Sequence, residues 1–183
     1  YLKTVFPYEF MTATLNYAID RTDRIILLKK ELVRLNIEFK KPDINFSKAE
    51  FSIEVKKEIK SIRFGLGAIK GVGIKSMNNL VKEREKKGPY LDIIDFMSRL
   101  SGEVINKRQL EKLIQAGCFD EIEKNRAKIF TNVPRFIEIY GGSKDKNQKQ
   151  SLLFEETKIS FNDSNLFIQN IDEWKSGFLL KNE

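Results

Sequence analysis

Histidine is absent from the 183 residues, and cysteine appears once, as Cys118. Without histidine there is no Ser-His-Asp or Cys-His nucleophile, the commonest general base is missing, and most zinc sites are excluded. A lone cysteine rules out an internal disulfide framework and suits a reducing, cytoplasmic setting. No apolar run approaches the roughly 18–20 residues that a membrane-spanning helix needs. Only 4 prolines and 10 glycines punctuate the chain, so each is informative about where elements start and stop.

What is present is charge and large apolar side chains. Lysine and arginine total 33 against 26 acids, a net of +7, and 14 Phe and 5 Tyr supply core material. The charge is uneven. Residues 1–140 carry 27 basic and 19 acidic side chains, whereas residues 141–183 carry 6 and 7. Residues 70–88 alone hold Lys70, Lys75, Lys82, Arg84, Lys86 and Lys87 against Glu83 and Glu85. Such a basic cluster on a histidine-free chain points to a polyanion partner, with solvated surface lysines as the plain alternative.

The periodicity predicts a mainly helical α+β fold with one small β-hairpin. Residues 1–19 read as helical after Pro7, with Phe10, Leu15 and Ile19 at helical spacing. Asp20–Asn36 reads as a second helix, with Asp20 or Thr22 as N-cap and Ile25, Leu28, Leu32 and Leu35 as its apolar stripe. Lys41-Pro42-Asp43 forms a turn. Phe51–Val55 and Ser61–Leu66 alternate as two strands of a hairpin. Helices follow over Ile74–Lys87, Leu91–Leu100, Asn106–Gln115 and Asn125–Tyr140, the last with a kink or break expected at Pro134. Residues 141–149 (GGSKDKNQK) read as a flexible linker.

Gly71-Val72-Gly73 stands directly before the basic helix. A P-loop needs Gly-Lys followed by Ser or Thr, but Ile74 separates Gly73 from Lys75. A dinucleotide fingerprint starting at Gly65 fails because Lys70 stands at its sixth position. Ile69-Lys70-Gly71-Val72-Gly73 instead matches the hydrophobic-Gly-hydrophobic-Gly form of a helix-hairpin-helix. Glycines at positive φ let the backbone approach a phosphate, and the free N–H groups of the following helix form an anion site. Lys70, Gly71, Val72, Gly73, Ile74, Lys75 and Ser76 are therefore candidate DNA-binding residues. A degenerate second copy spans the helix at Asn106–Gln115, the turn Ala116-Gly117-Cys118-Phe119 and the helix from about Asn125. The other reading of Gly-Val-Gly is a tight turn in an ordinary helical protein.

The runs IRFGLGAIKGVGIKSMNNLVKERE (62–85), NKRQLEKLIQAGCFD (106–120) and NRAKIF (125–130) resemble the alpha subunit of bacterial DNA polymerase III, the C-family replicative polymerase. YLKTVFPYEFMTATL (1–15) and PDIN (42–45) are similar to the C-terminal part of that family's fingers, and Leu180 and Glu183 extend the match weakly. The resemblance implies a segment of a longer protein, which the start at Tyr1 also suggests. It divides the chain into fingers (1–66), tandem helix-hairpin-helix (67–140), and linker with the start of a further domain (141–183), with Gly65 and Gly67 as a candidate hinge. It also implies double-stranded DNA, here primer-template duplex, as partner. That role falls on the first hairpin and, in the second, on Asn106, Lys107, Arg108, Ala116, Gly117 and Arg126, although Phe119 replaces the second hairpin's second glycine. Gln150-Ser151-Leu152-Leu153-Phe154 matches the family's sliding-clamp peptide, making the clamp (beta subunit) a partner beside other replicase subunits. The parent would be a magnesium-dependent DNA-directed DNA polymerase whose catalytic carboxylates lie upstream of Tyr1. No catalytic residue, metal site or cofactor is expected within this segment, and Asp92 and Asp95 read as helix-terminal acids. A stand-alone DNA-binding module and a protein-interaction domain are the alternatives.

Overall fold

In the computed structural model, residues 1–100, 104–140 and 171–175 are described. The clamp peptide at 150–154, the linker at 141–149, and Leu180 and Glu183 lie outside them.

The elements follow the order α1 (Leu2–Val5), α2 (Pro7–Tyr17), α3 (Thr22–Arg34), β1 (Phe39–Lys40), β2 (Ser52–Lys56), β3 (Ile59–Arg63), a 3-10 turn (Leu66–Ala68), α4 (Ile74–Lys87), α5 (Ile93–Arg99), α6 (Lys107–Gln115) and α7 (Arg126–Tyr140). The architecture is mainly helical with one small sheet, as the periodicity predicts. Pro7 opens α2, where its missing N–H costs nothing. Leu15 is buried and Ile19 packs on the same core, as expected, while Met11 takes the buried place expected of Phe10, which faces outward. The N-cap of α3 is Arg21, with no side-chain cap, in place of Asp20 or Thr22. At its far end Asn36 takes φ +53, and its amide and that of Ile37 return to the carbonyls of Val33 and Leu32. That is a Schellman stop, with buried Ile37 and Leu32 meeting beneath it.

β2 and β3 form the expected hairpin, shifted and extended to meet at Lys57-Glu58. Both turn residues take positive φ (50° and 65°), as a two-residue turn with the strands' twist requires, although neither is glycine. The sheet has a third strand: β1 pairs in parallel with β3, Phe39 beside Ile62, giving the order β1-β3-β2.

Two cores result. Met11, Leu15, Ile25, Leu32, Ile37, Phe51 and Ile62 form the first, with Phe39, Phe51 and Phe64 in mutual ring contact at 5.1–6.0 Å. The second gathers α4 to α7 around Tyr90, Phe96 and Phe119, stacked edge to face at 4.9 and 5.0 Å. Burying each such side chain is worth about 1.5–3 kcal/mol. Ile44, Ala49 and Leu66 join the second core from the sequence before Gly67. Asp43 caps the PDIN turn by accepting from the amides of Asn45 and Phe46 (2.7 and 2.9 Å), and Asn45 exchanges two hydrogen bonds with the backbone of Tyr90. Next to Gly65, the candidate hinge, the amides of Leu66 and Gly67 donate to the carbonyls of Lys48 and Ala49 at 2.9 and 2.8 Å. The helix expected from about Asn125 runs unbroken through Pro134 to Tyr140.

Candidate nucleic-acid interface

The 3-10 turn at Leu66–Ala68 and α4 are joined by the hairpin Ile69–Gly73. Val72 is wholly buried, and its amide donates to the Ile69 carbonyl. This anchors the middle of the hairpin and lifts the glycines on either side. Gly71 and Gly73 take φ +87 and +82, a region that side-chain-bearing residues enter only at a cost of roughly 1–2 kcal/mol. No neighbour presses on them. A Cβ at Gly71 would meet nothing within 4 Å, and one at Gly73 only the Gln109 amide nitrogen at 4.0 Å. The glycines therefore serve backbone conformation, and the space before them is open.

Gly73 is the N-cap of α4 and supplies no side-chain cap. Among the described residues, the amides of Ile74, Lys75 and Ser76 find no acceptor. The positive end of a 14-residue helix is thus exposed and unneutralised, with no acid in its first turn. Lys70 and Lys75 are exposed beside it and make no salt bridge among the described residues. Ser76 is half-buried and its hydroxyl is engaged by Gln109.

Gln109 brings a second helix start to the same place. At α6, the Asn106 side chain accepts from the Gln109 amide (2.9 Å), and the Gln109 side chain accepts from the Asn106 amide (3.0 Å). This reciprocal capping box leaves the amides of Lys107 and Arg108 without acceptors among the described residues. The same Gln109 side chain uses its Nε2 to donate to the Val72 carbonyl and to Ser76 Oγ. Two open helix N-termini, with exposed Asn106, Lys107 and Arg108 on one and Lys70 and Lys75 near the other, are thereby joined at one surface. Gln109 was not singled out from the sequence, although Asn106-x-x-Gln109 has the spacing of a capping box.

The remaining candidates serve the interior. Val72 contributes its side chain to the core and its carbonyl to Gln109, so no part of its side chain faces a ligand. Gly117 ends α6 at φ +76, with the amides of Gly117 and Cys118 returning to Ile114 and Leu113. It is buried, and an added Cβ would collide with the guanidinium of Arg126. Arg126 is 5 % exposed and makes a two-point pair with Asp120 (2.7 and 2.6 Å) while donating to the Gln115 carbonyl. Its guanidinium faces the inside of the second turn, not a phosphate. Phe119 fills the core where a second glycine would stand, and Ala116 is the C-cap of α6. The second turn therefore lacks the open pair of glycines that the first presents.

Arg84, within the basic stretch, and Arg99, beyond it, are both engaged inside the fold. Arg84 donates to the Ile44 carbonyl and is lowered in pKa by burial. Arg99 pairs with Glu83 and Asp95, donates to the carbonyls of Gly88 and Pro89, and lies 4.4 Å above the Tyr90 ring. Asp92 caps α5 by accepting from the Asp95 amide, and Asp95 accepts from the Leu91 amide and Arg99. Both acids are committed to these bonds, and no acidic cluster among the described residues is placed to hold a metal ion.

Residues 36–129 match the helix-hairpin-helix motif family. The chain belongs to this family. Over its whole length it is 35 % identical to DNA polymerase III subunit alpha of Xylella fastidiosa strain Temecula1 and 37 % identical to that of Buchnera aphidicola. Over 87 % of its length it is 39 % identical to the Campylobacter jejuni protein of the same name. The chain spans only 13–16 % of the length of these curated relatives. The family match begins at residue 36, so it takes in the sheet as well as α4, α5 and α6. No helix among the described residues is long and apolar enough to cross a membrane.

Proposed function

We propose that this helix-hairpin-helix segment holds duplex DNA through its backbone phosphates, without reading sequence. The observation that carries the reading is the Gln109 bridge, which brings the uncapped start of α4 and the half-open start of α6 together. Amide N–H groups of Gly71, Gly73, Ile74, Lys75 and Ser76, with those of Lys107 and Arg108, supply fixed donors. Lys70, Lys75, Lys107 and Arg108 supply charge. Donors of this kind position a duplex and do not discriminate bases.

On this reading the segment is part of the alpha subunit of a bacterial DNA polymerase III, a DNA-directed DNA polymerase acting in the cytoplasm on primer-template duplex. Nucleotidyl transfer then resides in a palm outside this segment. The ligands of the magnesium ions that such a reaction uses then belong to that palm. Gln150, Ser151, Leu152, Leu153 and Phe154 tether the polymerase to the sliding clamp, and other replicase subunits complete the assembly. Leu153→Ala with Phe154→Ala is expected to abolish clamp association, and unchanged clamp affinity would overturn that role.

A protein-contact reading has its own support. Leu2 and Val5 on α1, Phe6 between α1 and α2, and Ile26, Leu27 and Val33 on α3 are exposed. Titration of the chain into a labelled duplex of about 20 base pairs at several salt concentrations separates the two. Phosphate binding predicts a log-log slope of a few units, roughly one per phosphate neutralised. Association that ignores salt, or no association, would contradict it.

A further inference from the structure

The two hairpins lead into helices whose first turns differ in one respect. At α4 the first three amides are open. At α7 every one is taken. Lys128 donates to the Asn125 side chain at 2.8 Å, as an ordinary N-cap bond. The amides of Arg126 and Ala127 donate to the two carboxylate oxygens of Glu173, at 2.6 and 3.2 Å. Glu173 lies 47 residues further along the chain, so this is a tertiary contact and not a local cap. α7 has no acid in its own first turn; Glu123 accepts from the amide of the N-cap Asn125, and the carboxylate on the first two helical amides is that of Glu173.

The segment that delivers Glu173 is docked on both sides of it. The Ile171 carbonyl accepts from the Asn125 side chain, and the Trp174 ring meets Phe130 edge to face at 5.1 Å. Two-point acceptance by a carboxylate on adjacent helix-start amides is also how a phosphate is held at such a terminus. We propose that residues 171–175 form an intrachain strap that closes the second hairpin to DNA, with the Glu173 carboxylate occupying the position a duplex phosphate would take. The duplex is then gripped at the α4–α6 surface alone. The inference rests on the DNA-binding reading above.

The test compares the chain with its Glu173→Ala/Trp174→Ala variant, each alone and combined with Gly71→Val/Gly73→Val, on the same 20-base-pair duplex across salt. Releasing the strap is expected to tighten binding several-fold, to steepen the log-log salt slope by about one further phosphate, and to preserve measurable binding when the first hairpin is blocked. A strap variant that melts cooperatively yet keeps the parent's affinity and slope overturns the proposal. If that variant does not fold, Glu173→Gln, which keeps an acceptor but loses the charge, is expected to move affinity and slope in the same direction, and no movement again overturns it. Binding gained by the strap variant of a parent that binds no DNA supports the strap while refuting the first-hairpin reading. Tight binding by the parent with no change in the strap variant refutes the strap alone.

Discussion

The Gln109 side chain donates to the carbonyl of Val72, 37 residues earlier, and in the same geometry accepts from the amide of Asn106. One amide group thus caps α6, fixes the hairpin before α4 and reaches Ser76. Gln109→Ala removes all of these at once. It is expected to cost about 1–3 kcal/mol, the sum of a lost cap and an unsatisfied carbonyl. It should also weaken duplex binding by more than its stability loss explains, because the two helix starts lose their relative position. Urea unfolding and duplex titration of the same variant check the two effects separately.

Single replacement of Lys70, Lys75, Lys107 or Arg108 by alanine is expected to lower the salt slope by up to about one unit each and to leave the unfolding free energy within about 0.5 kcal/mol of the parent. Lys82→Ala and Lys86→Ala, on the same basic helix but away from its start, serve as controls and should move neither quantity. Equal slopes for both sets would mean that the charge acts diffusely.

Arg126 behaves differently. Its guanidinium is buried against Asp120, so Arg126→Ala strands the acid and is expected to destabilise the fold by about 3 kcal/mol. Arg126→Lys restores charge but not the two-point geometry and should recover only part of the loss. Gly117→Ala, which drives a methyl into the same guanidinium from a backbone at φ +76, should show a loss of similar size. Thermal melting checks all three.

Acid sensitivity follows from the carboxylates paired inside the fold. Burial raises the pKa of Glu83, but its bonds to Arg99, Tyr90 and Lys87 outweigh that and hold it below the usual carboxylate range. Glu54, between Arg63 and Lys40, and Glu123, beside Lys128, are lowered in the same way. A carboxylate whose pKa is lower in the folded chain than in the unfolded one adds stability above the unfolded value. That contribution disappears as pH falls through the folded one. Stability should therefore be level near neutrality and decline below about pH 5. Glu83→Gln should be less stable at pH 7 and show a shallower decline, as read from urea midpoints at each pH.

The sequence shows most of the helical frame because its punctuation is local. Gly73 and Gly88 bracket α4 to the residue, and Asn106 opens α6. The hairpin of β2 and β3 shows in alternation, whereas the two-residue β1 does not, since its pairing with Ile62 and Arg63 is wholly non-local. The candidate interface divides along the same line. Lys70, Gly71, Gly73, Ile74 and Lys75 are legible because the hairpin form is contiguous, as are Lys107 and Arg108 behind their N-cap. Burial is not legible in a short motif. Val72 and Arg126 carry the residue types of a binding site yet point inward, and Gln109 and Glu173 act across 37 and 47 residues of separation.

The most direct measurement is the backbone amide spectrum of the isotopically labelled chain, titrated with a 20-base-pair duplex at low salt. The account predicts that the amides of Gly71, Gly73, Ile74, Lys75, Ser76, Lys107 and Arg108 shift on binding, while those of Arg126 and Ala127, held by Glu173, do not. Binding that leaves residues 71–76 unmoved, or that shifts the two α7 amides in their place, would contradict it.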